Sequence, residues 1–152
     1  MMASMTNQDP EGWVKMVERL YRARDANAVS ALYTDDATTR YGSYVMSPKW
    51  VHEHPRAWFD SLEDYDITRT FRAANGDIIV SETTASYVWR PAAGPGLTGP
   101  DATSEESKVS GHRYREYGVD IYWVNSSGRI YHKHTMDLVE PFEARQPMEP
   151  DH

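Results

Sequence analysis

The sequence predicts an α+β domain with N-terminal helices packed in a curved antiparallel sheet. Three observations carry it. Apolar residues recur at helical spacing as far as Leu62, the period turns to alternation after Tyr65, and the pairs of alternating segments are joined by Asn75-Gly76 and Asn125-Ser126-Ser127-Gly128, both hairpin signals. The 152 residues suit one domain, 1–152, with a core over about 9–141 and a tail over 142–152.

Asp9-Pro10-Glu11 is a helix start, an N-cap acid followed by proline in the first turn, and Trp13, Val14, Val17, Leu20 and Tyr21 then form an apolar stripe over residues 9 to 24. A short second helix is expected over about 26 to 33, stopped by Thr34-Asp35-Asp36, followed by an extended piece over 37 to 45. Ser47-Pro48 repeats the cap signal and opens a third helix in which Trp50, His54, Trp58 and Leu62 lie four apart, on one stripe. Pro55 either kinks this helix or divides it. Strands are expected over 66 to 73, 77 to 90, 108 to 124 and 129 to 140, and residues 91 to 107 read as a Gly/Pro/Ser loop. The 17-residue third candidate must bend, and Gly111 and Gly118 are where a bulge is cheapest.

Composition narrows the function. With no cysteine, thiol nucleophiles, thiolate zinc sites and iron–sulfur clusters are excluded, so any chemistry uses oxygen and nitrogen groups. A net charge of -7 opposes binding to nucleic acid. No apolar run approaches the roughly 20 residues of a membrane span, and the polar start MMASMTNQDP lacks the core of a signal peptide, so a cytoplasmic location and no membrane partner are expected. Ten tyrosines and five tryptophans suit a pocket for a ring-bearing ligand as well as the faces of a sheet. No phosphate loop, nucleophile elbow or dinucleotide fingerprint is present, and neither a cofactor nor a metal is expected.

The element order, together with VERLYRARDANAVSALYTDDATTRYG and GVDIYWVNSSGRIYHKHTMDL, resembles the SnoaL-like, nuclear-transport-factor-2-like superfamily from Gly12 to Pro141. That resemblance implies the cone fold, a pocket on the concave face of the sheet and dimers formed back to back. Function varies within the superfamily, from ketosteroid isomerases and polyketide cyclases to epoxide hydrolases, dehydratases and proteins without catalysis. Matched without gaps, the isomerase base position holds Tyr41, the isomerase oxyanion acid is retained as Asp120, and the last-strand aspartate of cyclases and limonene-type epoxide hydrolases falls on Thr135. Scytalone-type dehydratases carry a pocket tyrosine near the Tyr41 position, and phenazine-biosynthesis relatives carry Glu-His then Trp on the third helix, similar to Glu53-His54 and Trp58.

Alternation places His112, Tyr114, Glu116, Asp120 and Tyr122 on one strand face. If the turn sets Val124 opposite Arg129, Asp120 faces Lys133, Tyr122 faces Tyr131 and Glu116 faces Asp137, while His132 and His134 point away with Ile121 and Trp123. A pocket aspartate paired with a lysine stays ionised; His54 between the indoles of Trp50 and Trp58 should lose charge stabilisation. The expected function is a cofactor-independent acid–base enzyme, a dehydratase-like lyase or an isomerase, acting on a hydrophobic, aromatic or polyketide-like small molecule. In it Asp120 and His54 exchange protons, Tyr41 and Tyr122 donate hydrogen bonds to an oxygen, and Trp50, Trp58, Tyr131, Lys133, Thr135 and Tyr21 complete the lining. The alternative is a binding module of the same fold. On the convex face Val119, Ile121, Trp123, Ile130, Met136 and Leu138 are expected to form an apolar patch covered by a second copy, with His132 and His134 beside the contact.

Overall fold

The computed structural model describes residues 8–91 and 108–142. Of the expected 91–107 loop only Pro91, and of the expected 142–152 tail only Phe142, lie among those residues. Helix α1 runs over Pro10–Arg22, with the Asp9 side chain accepting from the Gly12 amide at 2.9 Å, and α2 over Ala26–Ala31, capped by Asp25 in the same way. The chain then becomes extended earlier than expected. Strand β1 spans Tyr33–Tyr41 and includes Asp35 and Asp36, which fit a strand because their side chains point to solvent. Strand β2 is Tyr44–Met46, and α3 is a single helix, Pro48–Asp60, that Pro55 interrupts without dividing. Strands β3 (Leu62–Asn75), β4 (Ile78–Trp89), β5 (Arg113–Val124) and β6 (Ile130–Pro141) follow.

The six strands form one sheet in the order β2-β1-β6-β5-β4-β3. It is mixed, not antiparallel throughout: β1 runs parallel to β6, because β1 is separated from its partner by most of the chain and no hairpin dictates its direction. The remaining pairs are antiparallel. Gly76 closes the β3–β4 turn in the left-handed conformation (φ 59°), and Asn125 organises the β5–β6 turn by accepting at Oδ1 from the amides of Ser127 and Arg129, each at 3.0 Å.

The β5–β6 register departs from expectation in a way that leaves the faces of β5, and of β6 from His132 onward, unchanged. Val124 pairs with Ile130, one residue beyond Arg129, and a bulge at Tyr131 then sets Trp123 opposite His132. The two slips sum to an even shift, so inward residues stay inward while every partner changes. Asp120 therefore lies opposite Thr135, Tyr122 opposite Lys133, Glu116 opposite Val139 and Gly118 opposite Asp137. No bulge occurs at Gly118, where pairing with both neighbouring strands is continuous.

Helix α1 packs on β3, and α3 on β1 and α2, around a core of Trp13, Val14, Val17, Val29, Phe59, Ile79, Trp89 and Val124. Trp13 joins the layers: its ring meets Tyr122 edge-on at 5.1 Å, and its Nε1 donates to the Gly128 carbonyl at 3.0 Å. Of the expected convex patch, Ile130 is instead inside, only 1% exposed, because it precedes the bulge that reverses the alternation. Val119, Ile121 and Trp123 are half-buried, whereas Met136 and Leu138 are 49% and 62% exposed. No helix among the described residues is long and apolar enough to cross a membrane.

Replacing Trp13 by alanine removes a buried indole and its hydrogen bond, and should cost about 3–5 kcal/mol of stability, measured as a lower urea midpoint at unchanged slope.

Candidate functional site

Alternation on β5 aims Glu116, Asp120 and Tyr122 inward, and β6, matched in parity, contributes Lys133, Thr135 and Asp137 to the same side. β3 adds Arg69 and β1 adds Tyr41, while α3 covers the sheet with His54, Pro55 and Trp58. Tyr122 apart, these side chains line one cavity, with Tyr21, Tyr33 and Tyr65 in its wall.

Asp120 is the best-partnered group in it. Its Oδ2 lies 2.8 Å from Arg69 Nη1 and accepts from Thr83 Oγ1 at 2.7 Å; its Oδ1 accepts from Thr135 Oγ1 at 2.6 Å and lies 3.7 Å from Lys133 Nζ. Arg69 and Asp120 are each only 3% exposed. Arg69 also donates to Tyr122 Oη at 2.6 Å and its guanidinium covers the Tyr21 ring at 4.3 Å, while its backbone amide donates to Glu18 of α1 at 2.6 Å. Burial alone would push the Asp120 carboxyl up, but Lys133, Arg69 and the two threonine hydroxyls hold it well below the ordinary carboxylate range. Asp120 is a fixed anion. Burial also pushes the Tyr122 phenol up to about 12, so it stays protonated.

Asp137 differs. Its Oδ2 accepts from Tyr41 Oη at 2.8 Å, and its Oδ1 lies 3.4 Å from the Thr135 hydroxyl that serves Asp120. The residue is exposed at the cavity's edge, yet enough protein surrounds the carboxyl that burial, followed by the negative charge of Asp120, raises its pKa above the ordinary value. The second effect acts through a wetted site and weakens with salt. Two carboxylates on one face are thus pushed in opposite directions, one below and one above their usual range.

The other end of the cavity holds Lys108 and Glu116. The Lys108 ammonium stands 4.5 to 5.3 Å from the rings of Trp58, Tyr87 and Trp89 and 3.8 Å from Glu116 Oε1, which accepts from Tyr87 Oη at 2.5 Å.

Of the site residues singled out from sequence, Asp120, His54, Tyr41, Trp58, Lys133, Thr135 and Tyr21 line this one cavity. Trp50 does not reach the cavity; it packs edge-on against His54 at 5.5 Å. Tyr122 lies behind the lining as an Arg69 partner, and Tyr131, left out by the bulge, is 39% exposed outside it. His132 faces outward as expected, with Trp123 at 5.0 Å and Thr38 Oγ1 at 2.8 Å from Nδ1. Among the described residues no group of three or more His, Asp and Glu side chains could hold a metal ion. Sequence reasoning missed Arg69 and Asp137. The signal for Arg69 was a charge between Ile67 and Phe71 on the same strand face; for Asp137 it was alternation with Lys133 and Thr135.

No protein-family model and no curated protein matches the chain. Solved structures share its fold, and two of them are enzymes. The epoxide hydrolase/cyclase-like enzyme SalBIII, described with pyran ring formation in the polyether salinomycin, is 14% identical with a TM-score of 0.66, over 90% of this chain and 98% of that one. An LEH-like epoxide hydrolase of M. tuberculosis is 14% identical with a TM-score of 0.60, over 86% of this chain and 83% of that one. The architecture is the cone-like nuclear-transport-factor-2-like fold of these neighbours.

Asp120→Asn leaves Arg69 and Lys133 buried beside a neutral group and should cost about 3–5 kcal/mol at neutral pH. A carboxyl held low in the folded state stabilises above its unfolded pKa of about 3.9, and that contribution is lost as pH falls toward the folded value. Acid unfolding followed by circular dichroism should therefore be less steep below about pH 4 in Asp120→Asn than in the wild type.

Proposed function

We propose that the protein is a cofactor-independent acid–base enzyme that breaks or forms a C–O bond in a hydrophobic, ring-bearing small molecule, in its simplest form a dehydratase-like lyase. The observation that carries this reading is the carboxylate pair Asp120 and Asp137, one held low and one raised, on the wall of an aromatic cavity. Groups pushed apart in this way divide the work: the raised carboxyl gives a proton and the depressed one remains a counter-charge. Asp137 protonates the departing oxygen as the C–O bond breaks, Tyr41 steadies that carboxyl, and His54 takes the proton from the adjacent carbon, leaving an alkene and water. If the departing oxygen belongs to a strained cyclic ether, the same proton delivery opens the ring, and His54 accepts the proton of the attacking hydroxyl or water. The epoxide hydrolase and cyclase chemistry of the structural neighbours requires that same elementary step. Asp120, saturated by four partners, is here the electrostatic support of the site and not its base.

A binding module is the competing reading, favoured by the same saturation, which would also suit a fixed polar floor under a ligand. A panel of aromatic β-hydroxy ketones and aryl epoxides separates the two. Turnover by the wild type, reduced on the order of 10²–10⁴-fold in Asp137→Asn, is the outcome expected of general acid catalysis. Equal rates in both would remove Asp137 from the mechanism, and quenching of tryptophan fluorescence by panel compounds without turnover would favour the binding module.

We propose in addition that a second copy of the chain covers the outer face of the sheet, where Met136, Leu138 and Tyr117 are exposed beside the half-buried Val119, Ile121 and Trp123. Such a contact requires only a self-complementary patch. Sedimentation should give a dimer for the wild type at micromolar concentration and a monomer for Trp123→Glu, which places a charge on that surface; a wild-type monomer would refute the assembly.

A further inference from the structure

A glycine in the middle of a strand weakens it, and its usual reasons are a left-handed backbone, a bulge or the close approach of another group. Gly118 lies near the middle of β5, between Thr83 of β4 and Asp137 of β6. It has neither of the first two reasons. Among the described residues the glycines with positive φ are Gly42, Gly76, Gly111 and Gly128, and the pairing of β5 with both neighbours runs through Gly118 without a shift. The third reason is present. A Cβ added at Gly118 would lie 2.3 Å from Asp137 Oδ1 and 3.4 Å from its Cγ, with the Met136 carbonyl at 3.3 Å.

We propose that Gly118 is a positioning residue: its missing side chain leaves the slot in which the Asp137 carboxylate lies against β5 beside Asp120, within reach of Tyr41 and Thr135. The geometric half of this stands alone; that the placement serves proton transfer rests on the function proposed above. An alanine at 118 demands room that only the end of the Asp137 side chain can give, because the next nearest obstacle is backbone at an almost tolerable distance. The strand itself has no need of glycine, so the fold should survive while the carboxylate turns out of its slot.

That rotation changes what the carboxyl feels. Around it stand Asp120 of β5, Lys133 of β6, Tyr41 of β1, Arg69 of β3, Tyr87 of β4 and His54 of α3. Moved outward, Asp137 gains water around it and distance from Asp120, the two effects that raise its pKa and the largest acting on it, and these outweigh the loss of the Tyr41 hydrogen bond, which holds it down. Its raised pKa should therefore relax toward the ordinary aspartate value.

The test is a carbon-detected NMR titration of the Asp137 carboxyl, assigned by its disappearance in Asp137→Asn, in wild type and Gly118→Ala. The expected result is a folded Gly118→Ala protein whose Asp137 titrates at lower pH, with turnover of any panel substrate reduced on the order of 10²-fold by misplacement. An Asp137 resonance that titrates as in the wild type overturns the proposal. A relaxed titration with undiminished turnover would keep the positioning role and instead remove Asp137 from catalysis. If Gly118→Ala folds poorly, thermal melts of Gly118→Ala in the Asp137→Ala background decide: with the carboxylate gone, the alanine should no longer lower Tm, and an equal loss in both backgrounds would count against the slot.

Discussion

The buried pairing of Arg69 with Asp120 is the constraint around which the rest of the cavity is arranged. Placing a guanidinium and a carboxylate where each is 3% exposed costs several kcal/mol per ion unless every lone pair and N–H is met. The fold meets most of that demand with side chains from every layer, leaving the buried Arg69 Nε–H without a hydrogen-bond partner among the described residues. Thr83 and Thr135 complete Asp120 from the two strands flanking β5, Tyr122 and the face of Tyr21 support Arg69, and Lys133 adds a second cation. Glu18 fixes the Arg69 backbone from α1, so the helix that closes the core also holds the ion pair in place.

An anion fixed so firmly has a consequence for its neighbour. Thr135 points one hydroxyl at Asp120 and lies within 3.4 Å of Asp137, so the two carboxyls share a surround while differing in burial and partners. Asp120 has the cations and both threonine hydroxyls in direct contact, whereas at Asp137 burial and then the charge of Asp120 outweigh the Tyr41 phenol and the more distant Lys133 and Arg69. A proton is therefore retained more readily at the second carboxyl. This is how one face of a sheet carries two identical functional groups with unequal behaviour.

The opposite wall of the cavity is aromatic. Trp58 stacks near-parallel to His54 at 6.2 Å and meets Tyr87 edge-on at 5.3 Å, and Pro55, buried within α3, turns an apolar surface toward the same space. A ring-bearing ligand would thus find flat apolar surface against α3 and charged, hydrogen-bonding groups against β5 and β6. The distribution is what a sheet and a helix impose: alternation delivers polar groups to one strand face at two-residue steps, and a stripe four apart delivers aromatic rings from the helix.

Much of this was legible in the sequence. The caps at Asp9 and Ser47, the hairpin turns and the alternation after Tyr65 are local signals, determined by residues within a few positions of each other, and they specified the helices, the strands and the inward face that holds Asp120, Lys133 and Thr135. What followed from contacts between distant segments was decided only by the tertiary structure. The bulge at Tyr131 took that residue out of the cavity and changed every β5–β6 partner, the parallel placement of β1 brought Tyr41 to Asp137, and β3 delivered Arg69 to Asp120. Gly118 shows the division within one residue. The sequence alone suggested a bend, because a glycine's local meaning is conformational freedom, but its role here depends on a carboxylate from another strand that no local pattern could place beside it.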